Sequence, residues 1–338
     1  MFNNLEVTID WIRHGFSCSN AIYLKSQSSI QNILQKLSIN TKLPRMNISE
    51  IAAYYAPDAK LTKHGKLQAE QFNNIYKEKI NKYDYVLCSE LTRAVETALI
   101  ITKNTKIKKI YMMPYISELR LHDSYFDKDN QPTDPKIIKK YVTEHYPKKK
   151  GYAVLNIDYI EKYKGSYDKN VVVKPNINLF YNNVLPTFIN EHISNTPNLY
   201  FGIVSHRDLI ESIFKTNYFN HYQNLIPNDG HLSNTQILGE NILYGNNKLI
   251  RRNSLQICNA EQLDCHLRKN CQTICQIKLE AQNTNDIKYI TDEDLLECVG
   301  FNEKIINKNS EIQDDEYYNR YRKYKIKYML LKKRLKEQ

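Results

Sequence analysis

The sequence predicts an α/β fold: a three-layer α/β/α sandwich around a mainly parallel sheet, with an inserted lobe and a C-terminal helical tail. Three observations predict it. Short runs of β-branched and aromatic residues alternate with helix-length amphipathic stretches, the pattern of a parallel sheet covered on both faces. One long polar stretch, 121–174, interrupts that alternation with Lys, Tyr and Asp. The chain then ends on a basic segment whose apolar residues repeat every three or four positions.

Taken in order, Val7 to Ile12 reads as a strand that runs into Arg13-His14-Gly15, with a helix starting after Ser19-Asn20. Leu61-Thr62 precedes a helix with an apolar face of Ala69, Phe72, Tyr76 and Ile80, for which Thr62 is the expected N-cap. Tyr85 to Cys88 reads as a buried strand and Arg93 to Thr102 as the next helix. Lys108 to Met113 is a strand closed by Pro114, and Leu199 to Val204 is a strand leading into Ser205-His206. Ligands of such sheets sit beyond the carboxyl ends of the strands. His14, the segment Ser89 to Arg93, Glu118 and His206 each lie just past a strand end, so four separated segments are expected to converge on one crevice. The lobe over 121–174 is the expected seat of substrate choice, since insertions carry specificity on a rigid scaffold.

Composition excludes several classes. The net charge of +11 is concentrated at one end: from Tyr317 onward there are nine Lys or Arg against the single acid Glu337, and the remaining body is nearly neutral. The odd set of seven cysteines (18, 88, 258, 265, 271, 275 and 298) argues against a disulfide scaffold and for a reducing compartment. Met1 to Arg13 lacks a basic region followed by an apolar stretch, and no eighteen apolar residues run uninterrupted. A cytoplasmic location is expected.

Within the four strand-end segments the residue types suit phosphoryl transfer, which needs an in-line nucleophile and fixed positive charge around the equatorial oxygens. Arg13 and Arg93 can donate paired N–H groups to phosphate, and beside them an imidazolium is disfavoured, which keeps His14 a neutral nucleophile. The stretch Arg13-His14-Gly15-Phe16-Ser17-Cys18-Ser19-Asn20 resembles the R-H-G-x-S-x-x-N signature of the histidine phosphatase superfamily, phosphoglycerate-mutase-like branch 1. Asp58 to Ala69 is similar to its D-x-x-L-T-x-x-G-x-x-Q-A run, Ser89 to Ala98 to its S-x-L-x-R-A-x-x-T-A run, and Val204-Ser205-His206 stands where the family has its second histidine. The resemblance covers roughly Val7 to Arg268 in several blocks. It implies a domain over 1–268 with the insertion inside it, and an extension over 269–338. It also implies metal-independent hydrolysis of a phosphomonoester with no cofactor, through attack by His14, with phosphate held by Arg13, Arg93, His206 and Asn20 and with Ser17 as a further donor.

The same resemblance places a proton-transferring glutamate after the third strand, where Glu118 stands. The glycine- and tryptophan-containing stretch that follows it in the family is absent, so Asp123 stays a rival. Arg207 replaces the family's usual glycine after the histidine and is a candidate substrate contact. Asn234-Thr235 loosely matches the polar step before the last strand. Mutase activity is the sibling reading, disfavoured because Glu118-Leu119-Arg120-Leu121-His122 does not match the mutases' glutamate-arginine-x-tyrosine-glycine run; a catalytically weak phospho-ligand binding module is the reading from another class. The substrate is expected to be a phosphorylated small molecule or a phosphoprotein.

Other clusters read as structural. Cys258, Cys265, His266, Cys271 and Cys275 lack a C-x-x-C pair, against a zinc site. Between Cys88 and Arg93 lie four residues, one short of the loop of cysteine-dependent phosphatases, so Cys88 is expected in the core. In the tail, Tyr317, Tyr321, Tyr324, Tyr328, Leu331 and Leu335 form a short heptad seam, either a coiled-coil or docking helix that makes a homo-oligomer, or a basic helix that touches nucleic acid or an anionic membrane.

Overall fold

The computed structural model describes residues 5–24, 58–118, 132–164, 175–192, 198–217, 232, 234–246, 248–255 and 298. These residues form a seven-stranded mixed sheet in the order β4-β3-β2-β5-β1-β6-β7. Strand β1 is Leu5–Arg13, β2 Tyr85–Cys88, β3 Lys109–Met112, β4 Val154–Asn156, β5 Asn198–Ser205, β6 Ile237–Gly245 and β7 Lys248–Leu255. The first five are mutually parallel, β5 lying between β1 and β2, while β6 runs antiparallel to β1 and β7 antiparallel to β6. The fold class is the α/β architecture read from the sequence.

Burial on both faces explains why the parallel strands read as continuous apolar runs. On β1, Leu5, Val7, Ile9 and Trp11 face one core, where they meet α6 (Leu185–His192) and α7 (Arg207–Asn217) through Phe188, Leu209 and Ile213. Ile12 faces the other core, built with α2 (Lys63–Ile80) and α3 (Thr92–Ile101) through Phe72, Ala94, Val95 and Ala98. On α2 the expected cap holds: Thr62 accepts from the Gly65 amide at 3.0 Å. Ala69, Phe72 and Ile80 are buried, and Tyr76 departs from helical geometry at a kink, where its ring packs on Phe72.

Two buried carboxylates in the sheet are matched by several donors each. Asp10 accepts from Tyr83 at 2.8 Å and Tyr200 at 2.7 Å and pairs with Lys79 at 2.9 Å. Glu240 accepts from Trp11 Nε1 at 2.7 Å, from Tyr181 Oη, and from Arg252 Nη2 at 2.7 Å. Tyr181 lies in a π-turn, Phe180–Val184, that leads into α6.

Of the stretch expected as an insertion, residues 132–164 are described, and they are built into the sheet's edge. After α4 (Pro135–His145) the chain turns at Gly151, whose φ of 87° suits glycine, and β4 then pairs in parallel with β3 before α5 (Asp158–Lys164). Glu96 of α3 anchors α4 from below, accepting from Tyr141 at 2.8 Å and Tyr146 at 2.7 Å. Asp123, the cysteine-rich segment 258–275 and the heptad seam 317–335 lie outside the described residues. Among the described residues no helix is long and apolar enough to cross a membrane.

One cysteine expectation is corrected. Cys18 and Cys298 form a disulfide with a Cα–Cα distance of 5.4 Å across a separation of 280 residues. Chain spacing reports on local pairs only, and this bond is made by tertiary proximity; it ties the first residue of α1 (Cys18–Leu24) to Cys298, the one disulfide among the described residues. Cys88 is the free buried thiol expected, pushed up by burial into an inert range.

Candidate active site

The four segments converge as the strand ends require. Parallel order places the carboxyl ends of β1, β2, β3 and β5 along one edge, and His14, Ser89, Glu118 and His206 follow them. Cross-strand bonds fix the exits: the His14 amide donates to Ser205 O at 3.0 Å, the Ser89 amide to Val204 O at 3.0 Å, and Ser205 Oγ to Ile116 O at 2.8 Å.

His14 is 2% exposed. Its Nδ1 lies 2.7 Å from Gly15 O, and since a carbonyl only accepts, Nδ1 carries the proton. The lone pair is thereby assigned to Nε2, where Arg93 Nε donates at 3.3 Å. Burial first, then the Arg93 and Arg13 guanidiniums, hold the imidazole well below the ordinary histidine range. It is neutral at pH 7, as a nucleophile must be. The His206 ring centroid lies 5.1 Å away. His206 is held below its usual range by burial and then by Arg93; its Nε2 is 2.8 Å from Ser89 Oγ and its Nδ1 3.7 Å from Glu118 Oε2.

Glu118 sits between these groups and α7, accepting from the Asp208 amide at 3.2 Å. Burial, and secondarily the Asp208 carboxylate, push its pKa up to about 7 against the opposing pull of Arg93, Arg13 and Arg207. Arg13 donates from Nη1 to Leu232 O, and among the described residues its buried Nε has no hydrogen-bond partner. Burial and then Arg207 lower its pKa to about 10. Thus His14, Arg13, Arg93, His206 and Glu118 come together, with Arg207 beside them.

Ser17 and Asn20 occupy a different part of the loop. The Asn20 carbonyl accepts from the Ser17 amide at 3.1 Å and from Ser17 Oγ at 2.9 Å, so the pair shapes the turn into α1. Behind that loop two backbones approach closely: a Cβ on Gly15 would lie 2.6 Å from Gly65 O, and one on Gly65 only 2.0 Å from Phe16 O. Gln68 completes the seam by accepting from the Phe16 amide at 2.9 Å.

Sequence reasoning missed the positioning residues. Thr97 Oγ1 accepts from the Gly15 amide at 3.0 Å and donates to Arg93 O at 2.8 Å, linking both phosphate-side loops. Asp58 accepts from the Thr92 amide at 2.7 Å, Thr92 Oγ1 at 2.8 Å and the Thr133 amide at 2.8 Å. It therefore caps α3, whose own N-cap residue Leu91 supplies no side-chain bond, one residue before Arg93. The signal was in the motifs: Asp58, Gln68, Ser89 and Thr97 are among their fixed letters. Thr235 extends the site's rear wall, its amide donating to Arg13 O at 3.0 Å.

His14, Glu118 and His206 also place three potential metal-ligand atoms within 4.8 Å of one another. The Arg13 and Arg93 guanidiniums whose fields reach His14 oppose a dication there.

Residues 45–153 match the family described as histidine phosphatase superfamily (branch 1). An uncharacterized protein of Acanthamoeba polyphaga mimivirus is 27% identical over 154 residues, which is 40% of this chain and 28% of that protein; the chain thus spans little more than a quarter of this relative's length. Among solved structures, a mycobacterial glucosyl-3-phosphoglycerate phosphatase is 12% identical with a TM-score of 0.39, covering 74% of this chain and 97% of that one. A phosphoserine phosphatase from Entamoeba histolytica is 17% identical with a TM-score of 0.33, covering 74% and 98%. The match to the histidine phosphatase superfamily (branch 1) over 45–153 takes in two of the four motif segments, and the other two meet them in one site.

Proposed function

We propose that the protein hydrolyses a phosphomonoester through a phosphohistidine on His14, without a metal ion. The observation that carries this reading is the His14 tautomer: Nδ1–H is spent on Gly15 O, and Nε2 presents its lone pair beside Arg93. Nε2 attacks phosphorus while Arg13, Arg93 and His206 neutralise charge on the equatorial oxygens. The ester P–O bond breaks, and Glu118 passes its proton to the departing alkoxide. A water then attacks the phosphohistidine, Glu118 takes its proton, the P–N bond breaks, and inorganic phosphate leaves. A carboxyl with a pKa of about 7 suits both halves of this cycle.

The test is chemical trapping. Wild-type protein quenched after brief incubation with labelled substrate in EDTA is expected to carry an acid-labile, base-stable label, and His14→Ala none. An acid-stable adduct, label on the variant, or turnover abolished by EDTA overturns the reading. Absence of turnover with tight phosphate binding would favour a phospho-ligand binding module instead.

A further inference from the structure

The floor of the site is buried: His14, Arg93 and His206 are each 2% exposed or less. Arg207 differs. It opens α7 directly after His206, and its side chain is 37% exposed. Its Nε donates to Asp208 Oδ1 at 2.8 Å, which fixes the plane of the guanidinium, and among the described residues its two Nη groups have no hydrogen-bond partner. A cation in the first turn of a helix is opposed by the helix dipole, and the neighbouring Asp208, together with the carboxylates of Glu118 and Glu211, offsets that opposition. The charge still reaches the site, because Arg207 is among the groups that act on Arg13, His14 and Glu118. Arg207 therefore stands on the rim as an oriented fork with open donors. A phosphoryl group in line with His14 Nε2 is served by the buried arginines, which leaves the rim fork to meet the rest of the substrate.

We propose that Arg207 reads a second anionic group, so that the site takes phosphomonoesters bearing a carboxylate or a second phosphate a few bonds from the ester oxygen. The chemistry is that of a planar guanidinium offering paired N–H donors to an oxyanion, a geometry lysine does not reproduce. Asp208 acts here as a positioning residue that holds the fork. The proposal rests on the phosphatase reading above.

The test uses matched substrates on the full chain. Glycerol 3-phosphate and 3-phosphoglycerate differ by a carboxylate in place of a hydroxymethyl group, and propane-1,3-diol bisphosphate offers the second phosphate. Wild-type kcat/KM is expected to favour at least one of the two anionic substrates over glycerol 3-phosphate by about 10- to 100-fold, the scale of one charge-assisted paired contact. Whichever is favoured identifies the second group. In Arg207→Gln that ratio is expected to fall to within about threefold of one, whatever loss both substrates share, and Arg207→Lys should recover only part of it. A wild-type ratio near one, or a ratio unchanged in Arg207→Gln, overturns the proposal. Calorimetric binding of the same compounds to His14→Ala reads the preference without turnover: equal affinities there overturn the second-anion proposal, whereas a preserved preference there together with no hydrolysis of any of them by the wild type overturns the phosphatase reading alone.

Discussion

Replacing Glu118 by glutamine tests the mechanism most sharply, because the structure fixes both a pH and a leaving-group dependence. With its pKa raised to about 7, first by burial and then by Asp208, the Glu118 carboxyl is about nine-tenths protonated at pH 6 and about one-tenth at pH 8. A general acid must hold its proton in the free enzyme, so kcat/KM for an alkyl phosphate is expected to fall about tenfold per unit above pH 7. His14 adds no limb near neutrality, since burial and two guanidiniums keep it unprotonated there. Substrate ionisation, with a second phosphate pKa of about 6, sets the acidic side. In Glu118→Gln the descending limb disappears, and at pH 6 kcat/KM on the alkyl phosphate drops by about 10²- to 10⁴-fold, the usual worth of general acid catalysis. On p-nitrophenyl phosphate, whose leaving group needs little protonation, the drop stays below about tenfold. Since the proposed mechanism also has Glu118 activate water, the variant should release a burst of p-nitrophenol and then stall as phosphohistidine. Stopped-flow and steady-state assays on both substrates from pH 5.5 to 9 decide the matter. A limb that persists in the variant, or equal losses on both substrates, refutes the assignment and returns attention to Asp123.

Asp208→Asn removes the charge that most raises the Glu118 pKa after burial, so the descending limb should move to lower pH, read from kcat/KM on an alkyl phosphate; a shift upward contradicts the electrostatics. Glu240→Ala leaves Arg252, its side chain 13% exposed, without its carboxylate and strips the acceptor from Trp11, which should cost about 3–5 kcal/mol in urea unfolding and lower Tm by several degrees. Deleting 314–338 removes the heptad seam and nine Lys and Arg residues; sedimentation on the full and shortened chains should show a lower oligomeric state, or heparin chromatography a lost salt-sensitive retention, with kcat on a small substrate within about threefold. Loss of turnover in a folded truncation would place the tail at the crevice.

The parallel half of the sheet was legible because burial on both faces writes strands as uninterrupted apolar runs: Tyr85–Cys88 matches residue for residue, and β1, β3 and β5 are displaced by a residue or two. The antiparallel strands were not. In β6 and β7 the apolar residues are broken by Glu240, Asn241, Arg251 and Arg252, and the pairing with Arg252 that lets Glu240 be buried is visible only in three dimensions. Strand β4 is three residues long and sits among lysines and tyrosines, so it reads as loop until β3 supplies its partner. In the site, the nucleophile and its arginines could be read from strand ends and motif spacing. The motif letters marked Asp58 and Thr97 but not what they do, because they and Glu96 act through backbone amides and tyrosine hydroxyls from distant segments.

Those holding contacts matter because the site keeps its histidines neutral by burial and then by the positive charge of its arginines, and that field has to be offset when substrate arrives. A phosphate dianion seated against Arg13 and Arg93 supplies the offset. The same dianion lies near Glu118, where a new negative charge raises a carboxyl's pKa further. Substrate binding thus secures the proton on Glu118 at the step that consumes it, even above the pH where the free carboxyl has ionised. After the alcohol leaves with that proton, the Glu118 carboxylate is free to take one from water, whereas His206, buried beside Arg93, is held well below the range in which it would protonate. One carboxyl between two arginines and two neutral imidazoles can in this way serve as acid and then as base within a single turnover, and the switch is driven by the charge of the substrate itself.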